Sequence, residues 1–325
     1  MGEKSAGKNN IFHKYIVRPI GIILVLVLLF VILSRLTYVM RNKEYASVQD
    51  NFKKYDPEEV DIVFVGPSHC FCGIDPNYLY EGFGIESYML STSAQTVPMS
   101  YYAAMEAIEL KHPKKIVMEV SYCANDFRTV DAGMSHAFFD GMPRCTARKL
   151  GIEDLIEKED RMNYYFPLAA YHSRWKELTE EDFRSNLTAP RGEYYTEDVA
   201  KMYPIPVVSP SEKEPMPEEM EKYMDKLVDL CRENDTELIL FCVPFGIQYD
   251  APDRIEDVQQ RERIFNYIAD YAAEKEVRYY NMFNELNNLY RAGFNDETDW
   301  KDTQHLNRFG QAKLTGYMAS RGYFN

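Results

Sequence analysis

The stretch Ile62-Val63-Phe64-Val65-Gly66-Pro67-Ser68-His69 sets the class of fold. Four consecutive apolar residues without polar alternation read as a short strand buried on both faces, and Gly66-Pro67 stops it. In α/β folds, ligand sites gather at the carboxyl edge of the sheet. Ser68 is therefore expected on that edge, in a crevice and not in the core.

Four more apolar runs have strand length: Glu86 to Leu90, Lys115 to Val120, Glu237 to Val243 and Val277 to Met282. Between them, Met99 to Leu110, Glu218 to Cys231 and Gln259 to Ala273 carry apolar residues at helical spacing. Strand and helix alternate, which predicts an α/β domain with a parallel sheet covered on both faces. The stretch from about 127 to 217 breaks this alternation, being rich in Pro, Tyr and charge. It is expected to be an insertion lying over the carboxyl edge and helping to build a groove.

Upstream, residues 1–18 form a basic tail with Lys4, Lys8, Lys14 and Arg18, and Pro19 to Ser34 carry no charge. Residues 19–40 are expected to anchor the chain in a membrane, because Arg18 and Arg35 can snorkel and Leu36 to Met40 prolong the apolar run. No small-x-small pattern follows in Arg35 to Tyr45, which argues against a cleaved signal. The tail is expected in the cytoplasm and the domain outside. Residues 41–60 read as a polar stalk, and 61–325 as the folded domain.

With 325 residues, 46% of them hydrophobic, the chain can bury a sizeable core. A formal net charge of −14 argues against a nucleic-acid surface. Six cysteines (Cys70, Cys72, Cys123, Cys145, Cys231, Cys242) show no C-x-x-C pair and read as structural. No Walker-type loop, H-E-x-x-H or two-block zinc spacing occurs, so neither cofactor nor metal is expected.

Near the far end stands Asp302-Thr303-Gln304-His305, just before the amphipathic run Leu306, Phe309, Ala312, Leu314, Tyr317 and Met318, with Asn307 placed to cap it. Taken alone, D-x-x-H is an exposed helix start. Joined to a serine at a strand end, it supplies what a weak nucleophile needs: an imidazole to take its proton and a carboxylate to fix the imidazole's tautomer. Ser68, His305 and Asp302 are the expected catalytic residues.

These two blocks resemble those of the SGNH (GDSL-like) hydrolases, over about Asp61 to Phe324. The stretch Phe166 to Trp175 and the terminal Asp302-x-x-His305-Leu306-Asn307 are similar to those of membrane-anchored SGNH-type proteins of Gram-positive bacteria. Better-known relatives of that subgroup are the surface-polymer proteins of teichoic acid D-alanylation and alginate acetylation, which act beside membrane-bound O-acyltransferases. The resemblance implies a flavodoxin-like three-layer α/β/α domain. It also implies a serine esterase or O-acyltransferase acting on acyl esters of a cell-surface glycopolymer, with a membrane-bound O-acyltransferase as a partner. The alternative is a catalytically degenerate scaffold or binding subunit of an envelope assembly.

The pattern departs from the family at several positions. Pro67 stands where G-D-S has Asp, and neither Ser91 to Gln95 nor Cys123 to Asp126 has the family's glycine. Expected oxyanion donors are Ser68, Ser93, Gln95 through its side chain, and Asn125, although Asn-Asp after a strand also reads as a plain turn. His69, His172, Arg174 and Trp175 are expected in a substrate groove, with packing as their other reading, and His136 falls in the same class. A cysteine nucleophile at Cys70 or Cys72 is the third possibility.

Overall fold

The computed structural model describes residues 13–41, 47–56, 60–126, 128–183, 189–202, 207–245 and 252–325. It divides into two units, Met1–Asn42 with Met162–Ser185, and Lys43–Arg161 with Asn186–Asn325.

The smaller unit is built on helix α1 (Arg18–Met40). Tyr15–Met40 has a mean hydropathy of 3.0 and is long and apolar enough to cross a bilayer. Twenty-three residues of α1 rise about 35 Å. Only its end is covered, with Val39 and Met40 buried. There the Arg174 guanidinium donates to the carbonyl oxygens of Met40 (3.0 Å) and Arg41 (2.7 Å), and to Asp182 (2.6 Å). A cation on the last carbonyls of a helix satisfies acceptors that have no intrahelical donor. Lys4 and Lys8 of the basic tail lie outside the described residues.

The larger unit holds a five-stranded sheet, β1 (Ile62–Gly66), β2 (Ser87–Ser91), β3 (Lys115–Glu119), β4 (Glu237–Cys242) and β5 (Arg278–Asn281). All pairs are parallel and the order is β2-β1-β3-β4-β5. Every residue of β1 and β2 is buried, so side chains on both faces are covered.

Elements of the 41–60 stretch form part of this unit. Helix α2 (Ser47–Lys54) packs on β2, with Phe52 fully buried 4.8 Å from the Tyr88 ring. The Tyr88 hydroxyl donates to the Val48 carbonyl. Val48, Phe52 and Tyr55 make a stripe at i, i+4 and i+7 that the polar composition of the segment hides.

The leftward step from β1 to β2 passes through α3 (Ser68–Gly73) and α4 (Pro76–Phe83). The rightward steps pass through α5 (Val97–Lys111), then, beyond the 127–217 stretch, α9 (Glu218–Glu233) and α10 (Pro252–Glu274). Right-handed crossovers put α5, α9 and α10 together on one face and α3 and α4 on the other. Contacts of α5 with α9, and tyrosine bonds from α10 to α9 (Tyr267 to Glu221, Tyr271 to Asp225), follow that arrangement. Because the chain leaves β1 in one direction and returns past it to β3, the crevice between the carboxyl ends of β1 and β3 is the sheet's switch point.

The stretch 127–217 is not one body. Helices α6 (Ala132–Phe139) and α7 (Thr146–Leu155) belong to the larger unit, where α7 packs on α5, whereas most of α8 (Arg161–Tyr165) and the 3₁₀ turns to Phe183 belong to the smaller. Further on, the Arg191 carbonyl accepts from the Met89 amide at 2.8 Å, so a turn closes the exposed edge of β2. Gly192 (φ +72°) makes this possible, since a Cβ there would lie 2.3 Å from the Met89 oxygen.

Candidate active site

Ser68 stands at the carboxyl end of β1, as the strand reading requires. Gly66 has φ +146°, and a Cβ there would press on Glu119 Cβ at 3.0 Å and its carbonyl oxygen at 3.2 Å. Only glycine lets the chain turn here with β3 so close. Pro67 follows with φ −75°, and Ser68 opens α3. Its Oγ lies 2.7 Å from Nε2 of His305, across 237 residues of sequence.

His305 sits in the loop before helix α12 (Arg308–Ser320), which follows the short α11 (Leu286–Arg291). Its Nδ1 lies 2.9 Å from both Asp302 oxygens. The amides of Gln304 (2.8 Å) and His305 (3.0 Å) also donate to Asp302 Oδ1. Partial burial would raise this carboxyl, but the His305 bond and the two amides outweigh it and bring the pKa down to about 2. An ionised Asp302 holds the proton on Nδ1 and leaves Nε2 as the acceptor facing Ser68.

Three devices fix that loop. Asn307 caps α12 by accepting from the Phe309 and Gly310 amides, while its Nδ2 donates to the carbonyls of Asp198, Thr298 and Trp300. Fully buried Asp299 accepts from the Asn295 amide (2.7 Å) and from Lys313 (2.8 Å). Gly310 lets the helix approach, because a Cβ there would sit 2.2 Å from the Asp299 carbonyl oxygen. The serine and histidine segments are then tied directly, since Gln311 of α12 donates to the carbonyls of Phe71 (2.7 Å) and Ile74 (3.0 Å) at the end of α3.

A second polar chain, absent from the sequence expectations, runs beside the first. Glu119 ends β3 fully buried, and accepts from Ser121 Oγ (2.5 Å), the Ser121 amide (3.0 Å) and the Val243 amide (3.2 Å). Ser121 Oγ lies 3.2 Å from Nδ1 of His69, whose ring is 5.0 Å from that of His305 and 4.5 Å from that of Phe245. Burial pushes Glu119 up to about 7 even against its three hydrogen bonds. Burial also holds His69 well below its ordinary value, with the His305 and Arg261 charges acting in the same direction. An acid closing an otherwise apolar strand was the one sequence signal for this chain.

Of the expected oxyanion donors, Ser93 stands two residues beyond Ser91, which pairs with Gly66, so Ser68 and Ser93 share one sheet edge. Asn125 closes the 3₁₀ turn Ser121–Ala124 that follows β3 at the same edge. Gln95 departs from expectation: it is fully buried, its Oε1 accepts from the Thr92 amide and hydroxyl, and its Nε2 donates to Ser100. That side chain is spent inside its own turn.

The expected groove residues fall in different units. His69 packs on His305, whereas His172, Arg174 and Trp175 belong to the smaller unit. There His172 Nδ1 bonds the Ala169 carbonyl at 2.8 Å, Arg174 holds the end of α1, and Trp175 is exposed. His136 pairs with Asp140 one turn along α6. Cys70 and Cys72 are buried, and burial pushes the Cys72 thiol up to about 12 and Cys70 higher still, so neither is a thiolate near neutral pH. Among the described residues no group of three or more His, Cys, Asp or Glu could hold a metal ion.

No protein-family model matches the chain, and no curated protein matches it.

Proposed function

We propose that the chain is a membrane-anchored SGNH-type serine esterase or O-acyltransferase acting on acyl esters of a cell-surface polymer. The 2.7 Å contact between Ser68 Oγ and His305 Nε2, with ionised Asp302 behind it, carries this reading. Ser68 attacks the ester carbonyl while Nε2 takes its proton, and the carbonyl oxygen becomes an oxyanion. The amide of Ser68, with Ser93 and Asn125 at the same edge, supplies donors to that oxyanion. Collapse expels the alcohol with the proton from Nε2 and leaves an acyl-serine. Water or a sugar hydroxyl, deprotonated by the same imidazole, then takes the acyl group and returns the serine. The acyl-group and glycopolymer assignment rests on the family resemblance, as does a membrane-bound O-acyltransferase as partner.

The anchor reading has its own support. Removal of α1 would take away Val39, Met40 and the Met40 carbonyl that Arg174 holds. A helix end built into later sequence suits a retained anchor better than a discarded signal. The domain is read as extracytoplasmic.

The inward turn of Gln95 favours the second reading, a degenerate scaffold lacking one donor. A fluorophosphonate probe and p-nitrophenyl acetate applied to the full chain in detergent separate the two. Labelling at Ser68, with hydrolysis that Ser68→Ala lowers by about 10³-fold or more, is expected. An unlabelled wild type, or a Ser68→Ala variant as active as the wild type, removes Ser68 from the nucleophile role.

A further inference from the structure

We infer that the segment Met162–Phe183 is a second membrane contact, an aromatic collar that seats at the lipid interface around the end of α1. The inference rests on α1 as an anchor and is independent of the chemistry at Ser68.

The end of α1 fixes the level of the segment. Twenty residues from Pro19 reach Tyr38 and span about 30 Å, the thickness of a hydrocarbon core, with Arg18 and Arg35 snorkelling outward at its two ends. Arg35, Tyr38 and Arg41 then fall at the headgroups, with the Arg35 and Arg41 guanidiniums 5.3 and 4.9 Å from the Tyr38 ring centroid. This is the level at which membrane proteins concentrate aromatic and basic side chains. Arg174 clamps onto the Met40 and Arg41 carbonyls, and the turns Pro167–Ala169 and Glu180–Phe183 both touch α1. The whole segment is thereby held at headgroup depth.

Its surface suits that depth. Met162, Phe166, Trp175 and Phe183 are 60%, 60%, 64% and 57% exposed within about twenty residues, far from what water favours for such side chains. Lys176 lies over the Trp175 ring at 5.6 Å, and the four cations at this level, Arg35, Arg41, Arg174 and Lys176, are matched by Glu177, Glu180, Glu181 and Asp182. Attraction to anionic lipid is therefore weak, and the occupant that fits is the boundary between headgroups and acyl chains of a zwitterionic bilayer.

The chain has two tryptophans, and Trp300 is buried with its indole N–H on Asp296, so Trp175 reports alone in a wild-type minus Trp175→Phe difference. The full chain is reconstituted into phosphatidylcholine vesicles with and without lipids brominated near the headgroup end of the chains. Expected is a blue-shifted Trp175 signal, quenched at least twofold by the brominated lipid, shielded from iodide and unaltered by salt. Phe166→Trp in the Trp175→Phe background provides a second reporter with the same expected quenching. Reporters open to iodide and untouched by bromine, in protein that floats with the vesicles, overturn the collar while leaving the anchor intact. Protein that alkaline carbonate strips from the vesicles overturns the anchor and the collar together.

Discussion

His69 and His305 lie with ring centroids 5.0 Å apart and planes 30° from parallel, yet only His305 touches the serine. The two imidazoles have opposite surroundings. His305 has an ionised carboxylate behind it, whereas His69 is buried with its Nδ1 on a serine already committed to Glu119. In the proposed mechanism, a neutral His69 adds no positive charge beside the His305 imidazolium.

Histidine-selective ¹⁵N spectra test this arrangement. Ser121 gives its hydroxyl proton to Glu119, so its oxygen accepts from His69, which fixes the Nδ1–H tautomer when Glu119 is ionised. His69 should stay neutral well below pH 6.5 and show Nδ1–H at pH 8. Titration of His69 near pH 6.5, where an unperturbed imidazole titrates, would contradict it.

The sheet was legible because its strands are built around short apolar runs, β5 only around Tyr279 and Tyr280: the expected Lys115 to Val120 is observed as Lys115–Glu119, and Val277 to Met282 as Arg278–Asn281. Helix α10 begins seven residues before its expected start at Gln259, because its first turns, from Pro252, carry few apolar residues and leave no period to read. That Ser68, His305 and Asp302 come together was legible because the proposed chemistry asks for particular residue types at a strand end and a helix start. The Gln311 tie, the Asp299 knot and the Glu119 chain were not. Each joins polar residues far apart in sequence, and such contacts have no periodicity and no fixed spacing.

Glu119 makes stability depend on pH in a stated direction. Its folded pKa of about 7 exceeds that of an unfolded glutamate, so its contribution is full below the unfolded value and is lost as pH rises through the folded one. The loss between about pH 4.5 and 7 is on the order of 3 kcal/mol. Thermal midpoints of the full chain in detergent should fall more steeply over this range for wild type than for Glu119→Gln. Parallel curves would show that the carboxyl titrates normally.

Gly310→Ala should loosen the triad from a distance. The new methyl would press on the Asp299 carbonyl, forcing α12 away from the loop that carries Asp302 and His305. A cost of about 1–3 kcal/mol is expected. Esterase activity should fall well below the level that the drop in midpoint explains, because the Gln311 tie to α3 shifts with the helix.

Glu106, in α5, is fully buried, and neither carboxyl oxygen has a hydrogen-bond partner among the described residues. Burial pushes its pKa well above the usual range, Glu109 adds to this, and Arg148 acts the other way. Replacement by Met keeps length and removes the desolvated acid, so Glu106→Met should stabilise by about 1–3 kcal/mol. Because the folded pKa is raised, the gain should be larger at pH 8 than at pH 5. A destabilised variant at both values would mean that the carboxyl has a partner.

Asp302→Asn separates orientation from nucleophilicity. The amide retains the shape of the carboxylate, but its NH₂ would face Nδ1 and favour the wrong tautomer, with the proton on Nε2 pointing at Ser68. A fall in kcat of about 10²–10⁴-fold is expected, with the upper figure taken from the serine-protease case and the lower from the partial exposure of Asp302, 44% by side chain. KM should change little, since Asp302 lies behind the imidazole. Asp302, at about 2, stays ionised above pH 4 and adds no acid limb of its own there. Two resolved acid limbs above pH 4 in wild type would place a different carboxylate behind the imidazole.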